Sequence, residues 1–264
     1  MTYFRAVSVA WLVAVFSSAW PVTPVIAGEL DYAAAINVAG RQRMLTQRIT
    51  KSYLQIELGT NTELSREQLQ ASVALFERQL LKLQRFTSTQ EVSMALSRVE
   101  TLWQPFREKA LATPSLVDAA ELNRGGEVLL QACEDVVQLL EDASGSEFGR
   151  LVNISGRQRM LSQRLAKYYM LYAANVETRA AREQMLRAAN EFKGGLDTLI
   201  SAVENTPAIS NKLEAVARQW MWLDSAIGMQ DGTVYPLIVA DASEKILLLM
   251  ESITDMYARN ARLH

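Results

Sequence analysis

A thirteen-residue stretch occurs twice in this chain of 264 residues, and it constrains the fold more than any other feature. The first copy, at residues 36–48, is INVAGRQRMLTQR, and the second, at residues 152–164, is VNISGRQRMLSQR. Nine of the thirteen positions are identical, and the two copies lie 116 residues apart. Similarity at a fixed interval indicates two copies of one structural unit. We therefore expect two similar modules.

Both copies have the composition of a helix interior. Leu, Met, Gln and Arg dominate, each copy has one Gly, and neither has Pro. At about 100° per residue, Asn37, Arg41, Arg48 and Lys51 fall on one face of the first helix. Gly40 lies beside this face and allows a neighbouring backbone to approach closely. The motif thus predicts a helix with a cationic, amide-bearing face and a close neighbour.

The cations of the motif helices have no acid within reach on the same helix. No Asp or Glu occurs at residues 32–56 or 149–176. These segments contain Arg41, Arg43, Arg48 and Lys51, and Arg150, Arg157, Arg159, Arg164 and Lys167. A solvated helix usually mixes the two signs of charge. Either the cations reach acids on other helices, such as the segment with Glu134, Asp135, Glu141 and Asp142, or they bind an anion, for which the planar fork of Arg is suited.

The rest of the chain predicts an all-α protein. We expect helices at about residues 29–58, 65–86, 88–111, 113–143, 147–176, 179–204, 206–228 and 235–262. The repeat extends through all of them, since Trp103 aligns with Trp220 and Glu127 with Glu244 at an offset of 117. Short loops favour two tandem antiparallel four-helix-bundle modules, at 28–143 and 144–264. The Gly- and Ser-containing junction at 144–149 lacks Pro, so one long continuous helix joining the modules is an alternative.

Residues 1–27 have the pattern of a cleavable signal peptide. Arg5 precedes an apolar run at residues 6–20, and Val25-Ile26-Ala27 fits a small-residue cleavage site. This predicts a periplasmic protein that is secreted and then released. The alternative is an uncleaved membrane anchor, although the apolar run is short and followed by Pro.

Composition argues against several functions. The one histidine is His264, and Cys133 occupies an apolar helical position that predicts a small buried side chain. With a net charge of −2 and no broad basic face, we expect no nucleic-acid partner. The sequence has no nucleophile elbow or phosphate loop, so we predict no catalytic residue, cofactor or metal. Trp103, Trp220 and Trp222 are predicted to be core residues.

The duplicated motif resembles the sensor domain of NarX-type nitrate/nitrite sensor kinases and of PilJ-type pilus chemotaxis receptors. Their signature helix carries an Asn, then Gly-x-x-Arg-Met, then a second Arg. The matching residues are Asn37, Gly40, Arg43, Met44 and Arg48 in the first copy, and Asn153, Gly156, Arg159, Met160 and Arg164 in the second. The four-helix pattern covers nearly the whole chain after residue 27, twice.

The resemblance implies a periplasmic four-helix bundle that binds a small oxyanion, nitrate or nitrite. In the nitrate sensors, one Arg from each of two motif helices binds the ligand at a dimer interface. Carried over, Arg43 and Arg159 are the ligand arginines, and the Asn, Gly and second Arg of each motif belong to the same site. The two motifs could pair within one chain or across a homodimer.

The resemblance also has limits. The sequence contains no output domain after the second module, so we expect a membrane receptor or other signalling partner to carry the signal. Gln42 and Gln158 precede the ligand arginines, as in the pilus-receptor branch, for which nitrate is not the assured ligand. The second hypothesis is a helical adaptor or scaffold without a small ligand, in which the Arg faces contact acidic helices.

Overall fold

The computed structural model describes residues 30–86, 89–228 and 235–261, and these residues form eight helices and no strand. The helices are α1 (Tyr32–Glu57), α2 (Thr62–Gln84), α3 (Gln90–Leu111), α4 (Leu116–Ser144), α5 (Glu147–Ala173), α6 (Thr178–Ile200), α7 (Pro207–Gly228) and α8 (Pro236–Asn260). The predicted all-α class is confirmed. Each predicted helix begins and ends within about one turn of the observed helix. The predicted signal peptide lies outside the described residues.

The helices pack into two tandem bundles of four, as predicted. In each bundle the motif helix, α1 or α5, packs against the second and fourth helices, and the third helix closes the bundle. A stacked aromatic pair recurs in both cores: Phe76 on Trp103, with ring centroids 4.0 Å apart, and Phe192 on Trp220, 4.5 Å apart. Trp103 and Trp220 are buried as predicted. The expectation for Trp222 is wrong, because two residues further along α7 its side chain points to the opposite, solvent-exposed side.

The junction between the modules is a sharp break. Gly145 adopts a left-handed conformation, with φ of +56°, that ends α4. Ser146 then caps α5, since its Oγ accepts a hydrogen bond from the backbone N–H of Gly149. The alternative of one continuous helix is therefore wrong, and α5 folds back beside α4.

The two motif helices run parallel to each other. Both pair side chains with α8: Asn37 with Asp255 and Arg48 with Glu244 from α1, and Arg159 with Glu251 and Gln163 with Ser243 from α5. Along each motif helix, residues with higher numbers pair with residues of lower number in α8. Because α1 and α5 are each antiparallel to α8, they are parallel to one another. They also pack directly together, which places the two copies of the motif side by side.

Every helix in the described part of the chain falls short, in length or in hydropathy, of what crossing a membrane requires.

Candidate functional site

The guanidinium groups of Arg43 and Arg159 lie close together between α1 and α5. Both side chains are fully buried, with 0% exposure. A Cβ built on Gly40 would lie 3.2 Å from Nη2 of Arg43 and 3.4 Å from Nη2 of Arg159. On Gly156 the corresponding distances are 3.4 Å and 3.1 Å. The two glycines thus provide the space in which the two like charges meet, and the structure brings the two arginines together inside one chain.

Each of these arginines donates to one carboxylate. Each also donates to a backbone carbonyl of the opposite motif. Nη1 of Arg43 donates to Glu134 on α4 at 2.6 Å, and its Nη2 donates to the carbonyl of Asn153 at 3.3 Å. Nη1 of Arg159 donates to Glu251 on α8 at 2.7 Å, and its Nη2 donates to the carbonyl of Asn37 at 3.2 Å. The arrangement is nearly two-fold symmetric, as expected when two copies of one motif face each other.

One edge of each guanidinium has no carboxylate hydrogen-bonded to it. The Nε–H groups of Arg43 and Arg159 are buried and have no hydrogen-bond partner among the described residues. In bidentate pairs with oxyanions, Arg uses two neighbouring N–H groups, such as those of Nε and Nη2. The two arginines therefore retain donor capacity in the form that an oxyanion can use.

The two glutamates each serve a second arginine, so they connect the modules. Glu134 also binds Arg157 at 2.7 Å, and Glu251 also binds Arg41. Burial alone would raise the pKa of Glu134, but Arg43 and Arg157 lower it below its ordinary value. This keeps the carboxylate ionised. We call Arg41, Arg43, Arg157, Arg159, Glu134 and Glu251 the arginine layer.

The close packing of cations affects the pKa of Arg159. Burial, together with the positive charges of Arg41 and Arg43, holds this pKa well below its ordinary value, although Asp255 opposes the shift. The arginine layer thus carries an unfavourable like-charge interaction that additional negative charge would relieve.

A second layer of buried cations lies toward the C-terminal ends of the motif helices. Glu244 binds Arg48 at 2.6 Å and Lys51 at 2.5 Å. In the other repeat, Glu127 binds Arg164 at 2.6 Å and Lys167 at 2.6 Å. Burial lowers the pKa of Lys167 to about 8, against the opposing effect of Glu127. We call this set the lysine layer.

The predicted site residues therefore separate into two groups. Arg43, Arg159, Gly40 and Gly156 meet at the arginine layer. Arg48 and Arg164 belong to the lysine layer, five residues or about 7 Å further along their helices.

The two asparagines contribute through their backbone. Asn37 and Asn153 offer carbonyls to the buried arginines, while their side-chain amides donate to Asp255 and Glu141. They thus border the arginine pair on both sides.

The acid partners were only partly predicted. Glu134 and Glu141 lie in the segment that the sequence suggested, and Glu134 holds two arginines. No local pattern identified four other acid partners, which are Glu251, Asp255, Glu127 and Glu244. The repeat itself carries the clue, because Glu127 and Glu244, like Glu134 and Glu251, are separated by 117 residues.

Within the described ranges, no group of three or more His, Cys, Asp or Glu side chains is placed to hold a metal ion. Cys133 is buried as predicted, with 1% exposure, and burial raises the pKa of its thiol. The arrangement can bind an anion or hold helices together by ion pairs.

The fold and the arginine layer define a duplicated four-helix bundle whose two signature helices meet side by side. The family described as PilJ, the N-terminal domain of the type IV pili methyl-accepting chemotaxis transducer, matches residues 25–128 and again residues 144–235. The chain belongs to this family, in two tandem copies, as the motif predicted. No curated protein and no solved structure matches the chain.

Proposed function

We propose that the protein is a periplasmic sensor module that receives a small oxyanion, such as nitrate or nitrite, between Arg43 and Arg159. The observation that carries the proposal is the pair of buried guanidiniums that lie close together, each with an Nε–H that has no partner among the described residues. An oxyanion can accept hydrogen bonds from both forks at once. Membership in a chemotaxis transducer family supports a sensory role.

Charge balance favours a monovalent anion. Arg43 and Arg159 are already paired with Glu134 and Glu251. The arginines that share these glutamates, Arg41 and Arg157, also pair with Asp255 and Glu191, so little positive charge remains to be neutralised. Burial lowers the pKa of Arg159, and repulsion from Arg41 and Arg43 lowers it further; one negative charge would offset that repulsion. A divalent anion would instead repel the two glutamates at short range.

The proposed output is a change in the packing of α1 against α5. An anion that draws the two guanidiniums together acts on both motif helices, because each arginine also holds a glutamate on α4 or α8. A membrane receptor or other signalling partner would read this change.

The proposal also includes the organisation of the chain. After cleavage following Ala27, residues 28–143 and 144–264 form the two modules in the periplasm. No catalytic step is part of this role, which requires only binding and a partner.

The test is calorimetric titration of the purified protein with nitrate, nitrite, sulfate and phosphate. We expect one-to-one binding of nitrate or nitrite and weaker binding of the other two ions. Arg43→Lys and Arg159→Lys keep the charge but remove the fork, and each should weaken binding at least tenfold. Arg66→Lys is the matched control, because Arg66 is an exposed arginine that pairs with nearby Glu63. Absence of heat with all four ions, or unchanged binding by both motif variants, would rule out the anion.

A second candidate is a helical adaptor without a small ligand. It is favoured by Glu134 and Glu251, which already give each buried arginine a carboxylate. In that case the arginine layer only holds the modules together. Arg43→Lys and Arg159→Lys would then lower the stability of the protein, and none of the four ions would raise its melting temperature.

A further inference from the structure

Glu134 uses its two carboxylate oxygens for two arginines on different helices. Its Oε2 accepts a hydrogen bond from Arg43 of α1 at 2.6 Å, and its Oε1 accepts one from Arg157 of α5 at 2.7 Å. Because Glu134 lies on α4, the first contact is within one module and the second joins the two modules. If the contact with Arg43 were lost, the other oxygen would still hold α4 against α5.

Glu251 of α8 repeats this arrangement in the other half. Its Oε2 accepts from Arg159 of the same module at 2.7 Å, and its Oε1 pairs with Arg41 of the other module. In the lysine layer, by contrast, Glu244 holds two cations of α1, and Glu127 holds two cations of α5. Of these four glutamates, therefore, the two of the arginine layer bridge the motif helices.

The bridging glutamates lie nearer the surface than the arginine pair between them. The side chains of Arg43 and Arg159 are fully buried, while those of Glu134 and Glu251 are 23% and 26% exposed. The arginines that bind their Oε1 atoms are 38% and 20% exposed. Each carboxylate can therefore turn outward, away from the buried pair, while it stays bound to an arginine.

An anion at the buried pair would act on these carboxylates. It would relieve the repulsion between the two arginines, but it would also bring a third negative charge beside the two glutamates that neutralise them. In a bidentate complex with Nε and Nη2, the anion would share each guanidinium with the glutamate at Nη1. Like charges at such short range repel strongly in a buried site. The glutamates would yield, since they have a way outward.

We propose that Glu134 and Glu251 compete with the anion for the buried arginine pair, and that its binding leaves them bound only to the outer arginines. This inference rests on the proposed function, since it concerns the same site. The contacts that are lost lie within a module, and those that remain join α4 to α5 and α8 to α1. The lysine layer joins the same two pairs of helices. Binding thus shifts α4 and α8 from their own motif helix toward that of the other module.

Calorimetric titration with nitrate tests the competition, because removal of a competitor strengthens binding and removal of a structural contact does not. Glu134→Gln and Glu251→Gln keep the shape of the side chain and remove its negative charge. Each should bind nitrate at least tenfold more tightly than the wild type. Glu191→Gln is the matched control, since Glu191 pairs with Arg157, outside the buried arginine pair. Its affinity should stay within about threefold of the wild-type value.

A second pair of variants leaves both buried ion pairs in place and decides the question if loss of a glutamate unfolds the protein. Arg157→Gln removes the arginine to which Glu134 would turn, so it should weaken nitrate binding by about threefold or more. Arg150→Gln is its control, since Arg150 is an exposed arginine of the same helix that pairs with Glu147. Unchanged binding by Arg157→Gln would contradict the competition. Circular dichroism checks the helicity of every variant.

The outcomes separate this inference from the proposed function. If the wild type binds nitrate and Glu134→Gln and Glu251→Gln bind it equally or more weakly, the competition is wrong and the anion site stands. Equal tightening by Glu191→Gln would also overturn the competition, because the effect would then come from net charge. Binding by the two bridging-glutamate variants but not by the wild type would support it. Absence of binding by the wild type and every variant would overturn both proposals.

Discussion

Lys51 and Lys167 are buried cations whose positions the fold must stabilise by ion pairing. Each is fully or nearly fully buried, and each shares a glutamate with an arginine one turn before it. Because burying a charge is costly, such a pair contributes less to stability than its short distances suggest. Its main effect is to penalise any packing that separates the lysine from its glutamate.

The lowered pKa of Lys167 predicts how stability depends on pH. Since the pKa is about 8 in the folded protein and near 10.4 in an unfolded chain, the unfolded chain binds more protons between these values. Stability should therefore rise as pH increases through this window. Relative to Lys167→Met, the free energy of unfolding of the wild type should increase by about 2 kcal/mol from pH 7.5 to 9.5. Urea denaturation at several pH values measures this difference.

The free energies of unfolding of the wild type and of Lys167→Met should be compared below pH 10. Burial raises the pKa of Tyr168 and of Tyr257 to about 12, so ionisation of these residues in the unfolded chain lowers stability at higher pH. Glu127 keeps Arg164 as a partner in Lys167→Met. A difference that stays flat or decreases over pH 7.5–9.5 would show that burial does not lower the pKa of Lys167 in the folded protein.

At the scale of the helix, the glycine of each motif is required by packing and not by backbone conformation. Gly40 and Gly156 are helical, and a Cβ at either position would press on the buried guanidiniums. A helix interior normally favours Ala over Gly by about 1 kcal/mol. Close contact between α1 and α5 should reverse this preference.

Substitution of two glycines by alanine tests this interpretation. Gly156→Ala should lower the free energy of unfolding by about 1 kcal/mol, because overpacking exceeds the gain in helix propensity. Gly194→Ala is the control, since Gly194 lies in α6 and, apart from its chain neighbours and the backbone of its own helix, no atom lies within 4 Å of the added Cβ. It should stabilise the protein by about 0.5–1 kcal/mol. If both variants are stabilised equally in thermal denaturation, the motif helices do not pack as closely as described.

Helix termini show where local sequence patterns were insufficient. The predicted start of the second helix at Ser65 is wrong by one turn, because Asn61 in the left-handed conformation begins α2 at Thr62. The Ser65 hydroxyl instead donates to the carbonyl of Thr60. Such a start has no side-chain cap, so a search for capping residues does not find it. By contrast, Thr206 and Pro207 begin α7 as the sequence indicated.

For the whole molecule, the two modules behave as the two halves of a symmetric dimer within one chain. Glutamates of α8 bind cations of α1, and glutamates of α4 bind cations of α5, so each module supplies the counter-charges of the other. A module alone would expose a motif helix with unpaired cations.

This arrangement predicts different association states for the full chain and for one module. The full chain should be monomeric, because α1 already has α5 as its partner. A fragment covering residues 28–145 should form a dimer in which α1 of one copy replaces α5 of the other. Analytical ultracentrifugation measures both states. A monomeric, stably folded fragment would show that the contact between modules is dispensable.

The sequence alone determined the helices, the duplication and the family, because helix propensity, periodicity and repeated motifs are local properties of the chain. It also established that the motif cations need negative charge from elsewhere, since residues 32–56 and 149–176 contain no acid. Only the tertiary structure decided which acids these are, because Arg43 and Glu134, or Arg48 and Glu244, are 91 and 196 residues apart. The meeting of Arg43 with Arg159 likewise depends on how α1 and α5 pack, which no local pattern specifies.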